Sequence, residues 1–192
     1  MLMQIITPKE FLAEKEYFLN QIEEGALFVY PTDTIYGIGC DATAETSCAE
    51  VQKLKQRSKP MSVIAPSKEW ILQNCEVTGS AVKWLEKLPG PFTLILPLRN
   101  LNAVAPSCIL GSSALGVRLP DHWTLKLASE LKGPVVSTSA NISGQRPFTS
   151  LAEIPESFKE IVDFAIDEGE KKGNPSTIID LTKNPEEVIE RK

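Results

Sequence analysis

The chain of 192 residues contains one histidine, four cysteines and no apolar run close to the roughly 20 residues of a membrane span. His122 lies in a predicted helix start, and no G-x-S-x-G turn surrounds any serine, so neither a Ser-His-Asp nor a Cys-His catalytic group is expected. The G-x-x-x-x-G-K-[ST] loop is absent too, which excludes a P-loop nucleotidase. The sequence therefore does not support catalysis through a covalent intermediate.

The cysteines are widely spaced and form no C-x-x-C pair, so we expect reduced, partly buried thiols and no metal site. They are Cys40, Cys48, Cys75 and Cys108. Residues 1–7 are too short and too soon charged for a secretory signal. We therefore expect a cytoplasmic protein with no membrane association.

The chain is mildly acidic, with a net charge of −5 and a pI near 5.1. This charge argues against a general nucleic-acid-binding surface, which usually has a basic footprint, although a local basic cleft is compatible with it. The length and a hydrophobic content of 42% predict one globular domain over residues 1–192.

Helical and extended patterns alternate along the chain without repeats. Thr7, Pro8 and Glu10 form a helix-start pattern with a capping box. Helices are expected over residues 8–24, 43–56, 80–88 (capped by Ser80) and 121–131 (capped by Asp121). Strands are expected over 26–30, 35–39, 61–65, 92–96, 115–119, from 135, and over 162–166, 176–181 and 188–191. Several strands follow each other without a full helix between them, which predicts an α/β (α+β) fold with a twisted, open, mixed sheet flanked by helices.

Three polar clusters could carry chemistry, and the first follows a buried strand. Val135 and Val136 favour extended structure, whereas the Ser137-Thr138-Ser139-Ala140-Asn141 run that follows is rich in short hydrogen-bonding side chains. In α/β proteins ligands bind beyond strand ends. The segment therefore predicts either a ligand platform or a capped turn.

The second cluster is cationic and lies at a predicted helix end. Lys53, Lys55, Arg57 and Lys59 occur within seven residues. Cations at a helix C-terminus interact favourably with the helix dipole, by roughly 0.3–1 kcal/mol each, so a solvated capping role is one interpretation. Binding of a phosphate or carboxylate by Lys55 and Arg57 is the other.

The third cluster contains Thr32, Asp33 and Thr34 and is followed by Gly37 and Gly39. The two threonines could orient a small polar ligand or cap a turn. Asp33 alone is weak evidence for a metal site. Together the clusters predict a site of cations, hydroxyls and an amide, which suits the positioning and charge stabilisation of phosphates and carboxylates.

Six motifs, in this order along the chain, resemble those of the YrdC-type threonylcarbamoyl-AMP synthases. They are Tyr30-Pro31-Thr32-Asp33-Thr34-Ile35-Tyr36-Gly37, Lys55-Gln56-Arg57, Pro89-Gly90-Pro91-Phe92-Thr93, Gly116-Val117-Arg118-Leu119-Pro120, Ser137-Thr138-Ser139-Ala140-Asn141 and Pro175-Ser176-Thr177-Ile178. The resemblance covers residues 7–191. It implies a single-domain short form with a concave, positively lined cleft.

The resemblance implies a nucleotidyltransferase that makes threonylcarbamoyl-AMP and pyrophosphate from L-threonine, bicarbonate or CO2, and ATP with Mg²⁺. It also implies, as partners, a downstream transferase complex that modifies tRNA, and tRNA itself as a candidate. Lys55 and Arg57 would be catalytic. ATP would be bound by Lys55, Arg57, Lys59, Ser139, Asn141 and Arg191. Threonine would be bound by Thr32, Thr34, Arg118, Ser137 and Ser176, with Arg118 on its carboxylate.

The chain departs from the family pattern in two places. The loop after Arg57 is shorter, which puts the role of Lys59 in doubt, and residues 63–65 hold no histidine where some members have one. Two alternatives stay open. One is related carbamoyl-adenylate chemistry on the same scaffold, and the other is an RNA-binding module without catalysis, which the acidic charge disfavours.

Overall fold

The computed structural model describes residues 3–56 and 58–191. Its strands are Gln4–Ile6 (β1), Phe28–Tyr30 (β2), Gly37–Gly39 (β3), Ser62–Ile64 (β4), Phe92–Pro97 (β5), Ala114–Arg118 (β6), Val135–Ser139 (β7), Phe164–Ile166 (β8), Thr177–Asp180 (β9) and Glu187–Ile189 (β10). Its α-helices are Pro8–Ala13 (α1), Lys15–Glu23 (α2), Glu45–Leu54 (α3), Lys68–Asn74 (α4), Ser80–Glu86 (α5), Pro106–Ile109 (α6), Leu125–Leu131 (α7) and Glu156–Lys159 (α8).

The strands form one sheet in the order β1-β8-β2-β3-β7-β4-β6-β5-β9-β10. Neighbours are parallel in β1/β8, β8/β2, β4/β6 and β5/β9 and antiparallel elsewhere. The expected mixed α/β sheet is therefore confirmed. Strand β7, which carries the hydroxyl-rich run, lies near the centre, between β3 and β4.

One face of the sheet is covered along most of its width. Val63, Val136 and Leu94 point to this face and pack with side chains of α3, α4, α5, α6 and α8 in the larger hydrophobic cluster. Burial of these side chains is the main favourable contribution to folding, at roughly 25 cal/mol per Å² of apolar surface.

The opposite face is covered only in part. Ile64 and Val135 contact the apolar sides of α1, α2 and α7 there, together with aromatic side chains of β2 and β8. None of the residues in this second cluster belongs to β5, β6 or β9. This half of the face therefore presents polar side chains to an open space, and the candidate site lies there.

The first predicted helix start is confirmed, but the helix behind it is interrupted. Thr7 Oγ1 accepts a hydrogen bond from Glu10 N (3.2 Å), and Glu10 Oε2 accepts one from Thr7 N (2.7 Å). Glu14 leaves the helical region (φ −114°, ψ 32°), so the expected single helix over 8–24 is two helices, α1 and α2. An apolar periodicity does not reveal such a break, because both helices still face the same core.

Two other predicted caps were wrong. Helix α7 begins at Leu125 with Thr124 at its N-cap, and Asp121 instead donates its main-chain N–H to Asp33 Oδ2 (3.2 Å). Ser80 is the first residue of α5, with Gly79 at the N-cap. The short elements β1, α4, α6 and α8 were not predicted, since three to seven residues hold too little periodicity to recognise.

All four cysteines are buried and free, so the expected reduced thiols agree with the structure. Within residues 3–56 and 58–191, no helix is long and apolar enough to cross a membrane. The same residues contain no cluster of three or more His, Cys, Asp or Glu side chains that could hold a metal ion.

Candidate active site

A cavity of about 70 Å³ opens on the half-covered face of the sheet. Most of the side chains around it carry a hydroxyl or a guanidinium group. The lining residues are Thr32, Ile35, Tyr36, Gly37, Ser62, Thr93, Arg118, Ser137, Thr138, Ser139, Ser176, Ile178 and Arg191. Such a lining favours a small polar ligand that carries a negative charge.

The register of the central strands builds the floor of this cavity. Ser137 of β7 lies opposite Ser62 of β4, which lies beside Gly116 of β6, so the three positions share one face. A Cβ atom on Gly116 would lie 2.6 Å from Ser62 Oγ and 3.3 Å from Thr93 Cγ2. The missing side chain at Gly116 therefore keeps the floor of the cavity open.

The threonines of the third cluster form a tight hydroxyl turn beside the cavity. Thr32 Oγ1 accepts hydrogen bonds from the N–H groups of Thr34 (3.1 Å) and Ile35 (3.2 Å) and donates to Ile35 O (2.7 Å). The Thr34 hydroxyl lies 3.0 Å from the Thr32 hydroxyl. Thr32 thus caps a turn and also lines the cavity, so the two interpretations of this residue do not exclude each other. Thr34 itself is not a lining residue.

Arg118 is buried, and its guanidinium is held by Asp33. Its Nη2 lies 2.5 Å from Asp33 Oδ1, and the two side chains are 6% and 10% exposed. Its Nε, also buried, has no hydrogen-bond partner among the described residues. Arg118 therefore differs from an ordinary arginine at a strand end, whose guanidinium would be solvated. Sequence analysis missed the role of Asp33, because only the fold brings it to Arg118.

The C-terminal strand region contributes a second guanidinium. Arg191 donates to Ser176 through Nε, which reaches the main-chain O (2.8 Å), and through Nη2, which reaches Oγ (2.7 Å). Ser176 Oγ also lies 2.7 Å from Thr93 Oγ1. The family resemblance assigns Arg191 to the nucleotide and Ser176 to threonine. In the structure the two residues belong to one hydrogen-bonded group, which also contains Thr93.

Lys55 is the most deeply buried cation described, with 1% of its surface exposed. Its Nζ donates to the main-chain oxygens of Ser139 and Asn141 and to Asn141 Oδ1, the latter two at 2.9 Å. Asn141 Oδ1 also accepts from Ser139 Oγ (2.6 Å). A lysine ammonium has three protons, so these contacts use its donor capacity. The solvated capping interpretation is wrong for Lys55, whose ammonium contacts Ser139 and Asn141, two other residues of the predicted ATP set.

The other predicted cations differ in placement. Arg57 lies outside the described residues. Lys59 is exposed and is not a lining residue of the cavity, while its main-chain oxygen accepts from Gln52 Nε2 (3.1 Å). Of the proposed threonine set, Thr32, Arg118, Ser137 and Ser176 converge on the cavity, and Ser139 and Arg191 join them from the nucleotide set. Sequence analysis missed Ser62 as a lining residue, and it gave no role to Thr93 or Ile178, which line the cavity and occur within quoted motifs.

Two buried tyrosines near the site are expected to make the protein less stable at alkaline pH. Burial raises the pKa of both Tyr30 and Tyr36 from 10.0 to about 12. The unfolded chain therefore loses these protons at a lower pH than the folded protein. We expect the two tyrosines to contribute fully to the free energy of unfolding below pH 10.0, and this contribution to be lost as the pH rises to about 12.

Urea unfolding across this pH range measures the effect. The Tyr30→Phe/Tyr36→Phe variant, which cannot ionise there, should show a smaller fall in the free energy of unfolding than the parent. Equal falls in both proteins would contradict the prediction.

Comparison with known proteins identifies relatives over nearly the whole chain. A family model named for Sua5, YciO and YrdC, described as telomere recombination, matches residues 20–192. The threonylcarbamoyl-AMP synthase of Idiomarina loihiensis is 34% identical over 166 residues, covering 82% of this chain and 88% of that protein.

Solved structures agree with this relationship. The structure of Pyrococcus abyssi Sua5 complexed with L-threonine superposes with a TM-score of 0.84 at 29% identity. It covers 98% of this chain, which spans only 56% of that Sua5 chain. Escherichia coli YciO has the same fold, with a TM-score of 0.85 at 22% identity, over 99% of this chain and 96% of that one.

Proposed function

Because the chain belongs to the Sua5/YciO/YrdC family, we propose that it is a threonylcarbamoyl-AMP synthase, a nucleotidyltransferase acting on L-threonine, bicarbonate and ATP. Bicarbonate supplies CO2 by losing hydroxide. The threonine amine attacks CO2 to give a carbamate, and the proton it loses combines with that hydroxide to form water. A carbamate oxygen then attacks the α-phosphorus of ATP, and the bond to the β-phosphate oxygen breaks, which releases pyrophosphate.

One observation carries the proposal. Strand β7 places Ser137 in the hydroxyl cavity and, two residues later, Ser139 beside Asn141 and the Lys55 ammonium. Residues i and i+2 of a strand lie on the same face, about 7 Å apart. Two anionic groups held at these two positions, the threonine carbamate and the α-phosphate, would therefore bind side by side on one face of the strand.

Each side of this junction has a proposed task. In the cavity, Arg118 would pair with the threonine carboxylate, while Thr32, Ser137 and Ser176 hold its polar groups. Beyond β7, Lys55 and Arg57 would stabilise the negative charge that develops around the α-phosphorus. No protein nucleophile is needed, because the substrate carbamate is the nucleophile.

The remaining ATP contacts stay proposals of the same kind. Ser139, Asn141 and Arg191 would bind the nucleotide, and Lys59 would lie at the edge of the nucleotide site. Mg²⁺ would arrive on the triphosphate, because the described residues offer no carboxylate cluster to hold it, and the carboxylate of Asp33 is already paired with Arg118. The transferase complex, tRNA and the cytoplasmic location also stay predictions.

Release of pyrophosphate tests the proposal. We expect the purified protein to release pyrophosphate from Mg-ATP only when L-threonine and bicarbonate are both present, and to incorporate labelled bicarbonate into an AMP-linked product. Release without threonine would contradict the proposal, and so would an absence of release with any amino acid. Serine in place of threonine is the matched control, since a single methyl group typically gives about 1–3 kcal/mol of discrimination.

A further inference from the structure

Residues 167–176, between β8 and β9, form an irregular segment that crosses the candidate site; we call it the strap. It ends at Ser176, which lines the cavity. A Cβ atom on Gly173 would clash with the main-chain oxygen of Thr34, so the strap lies directly against the hydroxyl turn. The strap therefore forms part of the wall on the proposed threonine side.

Tyr36 holds the start of the strap. Its hydroxyl donates to Gly169 O (2.7 Å) and accepts from Glu168 N (2.9 Å). Further along, Lys171 N donates to Thr149 O (2.7 Å). These contacts fix the main chain of the strap at its first residues and near its middle.

The Glu168 carboxylate joins the strap to the turn before α7. Its Oε1 accepts from Trp123 Nε1 (2.7 Å), and its Oε2 lies 2.9 Å from His122 Nε2 and accepts from Lys171 Nζ. Burial alone would raise the Glu168 pKa, but the bonds from Lys171 and Trp123 and the charge of His122 outweigh it and lower the pKa. The group is therefore an anion held by three donors.

The same turn reaches the guanidinium of the site. The N–H of Asp121 donates to Asp33 Oδ2 (3.2 Å), and Asp33 holds Arg118. A continuous set of contacts thus runs from Glu168 through the turn to Arg118. The strap itself reaches the other wall, where Ser176 contacts Thr93.

We propose that Glu168 is a positioning residue for the amino-acid substrate: its carboxylate fixes the strap against the turn at residues 121–123, which keeps both walls of the threonine pocket in place. This inference rests on the proposed function. It differs from a general stabilising role because it predicts an effect on threonine and not on the ATP contacts around Lys55 and Asn141. Arg191, also proposed for ATP, bonds to the strap at Ser176, eight residues after Glu168.

Kinetics of a Glu168→Ala variant test the inference, with Glu170→Ala as the matched control. Glu170 lies in the same strap, but its pair with Lys172 is exposed. We expect the KM for threonine to rise about tenfold in Glu168→Ala, with the KM for ATP unchanged, and neither value to change in Glu170→Ala. Glu168→Gln keeps one acceptor oxygen for Trp123, so its KM for threonine should lie between those of Glu168→Ala and Glu170→Ala. This variant replaces Glu168→Ala in the test if the alanine variant does not fold.

Limited trypsin cleavage after Lys171 and Lys172 gives a readout that does not depend on catalysis. We expect faster cleavage in Glu168→Ala than in the parent and in Glu170→Ala, and slower cleavage when threonine is added to the parent. Unchanged cleavage, or equal rises in both KM values, would overturn the inference while leaving the proposed function intact. A parent protein that binds no threonine would overturn the proposed function itself, even if cleavage responds to the substitution.

Discussion

Lys55→Met is expected to lower the rate of pyrophosphate release by about 100-fold, in the range measured when a single charge-stabilising donor is removed from an active site. The substitution keeps the length of the buried side chain but removes the ammonium from three oxygens of Ser139 and Asn141. Because a buried polar group without a partner costs about 1–3 kcal/mol, the loop after β7 should lose its present conformation. Initial rates at saturating threonine and ATP measure the effect.

Thermal unfolding of the same variant measures the structural part. Three lost partners at about 1 kcal/mol each, with about 2–4 °C per kcal/mol for a chain of this length, predict a Tm lower by about 6 °C or more. Lys53→Met is the control, since Lys53 lies two residues before Lys55, in the last turn of α3, and is exposed. If Lys53→Met and Lys55→Met had the same Tm and the same rate of pyrophosphate release, the buried ammonium of Lys55 would not organise the site.

Asp33→Ala is expected to lower the free energy of unfolding by about 3–5 kcal/mol, because it leaves the Arg118 guanidinium buried without its carboxylate. At about 2–4 °C per kcal/mol, the Tm should fall by about 10 °C. Removal of one exposed partner has little effect in comparison, so Glu170→Ala should leave the Tm nearly unchanged.

The double variant Asp33→Ala/Arg118→Met separates stability from binding. Replacing both members of a buried ion pair by apolar groups is often nearly neutral, so we expect most of the lost stability to return. Threonine binding, followed by calorimetry, should be lost in the double variant, since the guanidinium proposed for the threonine carboxylate is gone. A double variant as unstable as Asp33→Ala would show that the pair is not the cause, and one that still binds threonine would remove Arg118 from the proposed set.

Several features were predictable because their cause lies within a few residues. The capping box of Thr7 and Glu10 joins groups three positions apart, and the apolar pair Val135–Val136 begins β7 as predicted. The expected strand end before the hydroxyl run was wrong, because β7 continues to Ser139. Four of the five residues proposed for threonine lie within two residues of a strand end or inside a strand with a clear pattern: Thr32 follows β2, Arg118 ends β6, Ser137 lies within β7 and Ser176 precedes β9.

Other features depend on distant partners. Lys55 and Asn141 are 86 positions apart, and Arg118 and Asp33 are 85 apart. The local pattern around Lys55 fitted both a solvated helix end and a binding group, and nothing near Asp33 indicated that it would pair with an arginine. No pattern in the sequence indicated a role for Glu168, because two of its three donors lie on the turn before α7, distant in sequence, and the third lies within the strap.

The amino-acid sequence alone thus determined which segments become strands and helices, and which polar groups stand at their ends, since propensity, capping and apolar periodicity act over short distances. Only the tertiary structure decided which of these ends meet. The order of the sheet places β7 between β3 and β4, and its register sets Ser137, Ser62 and Gly116 in one row. Those choices come from the joint burial of apolar side chains from distant segments, and that burial turns three separate polar clusters into one site.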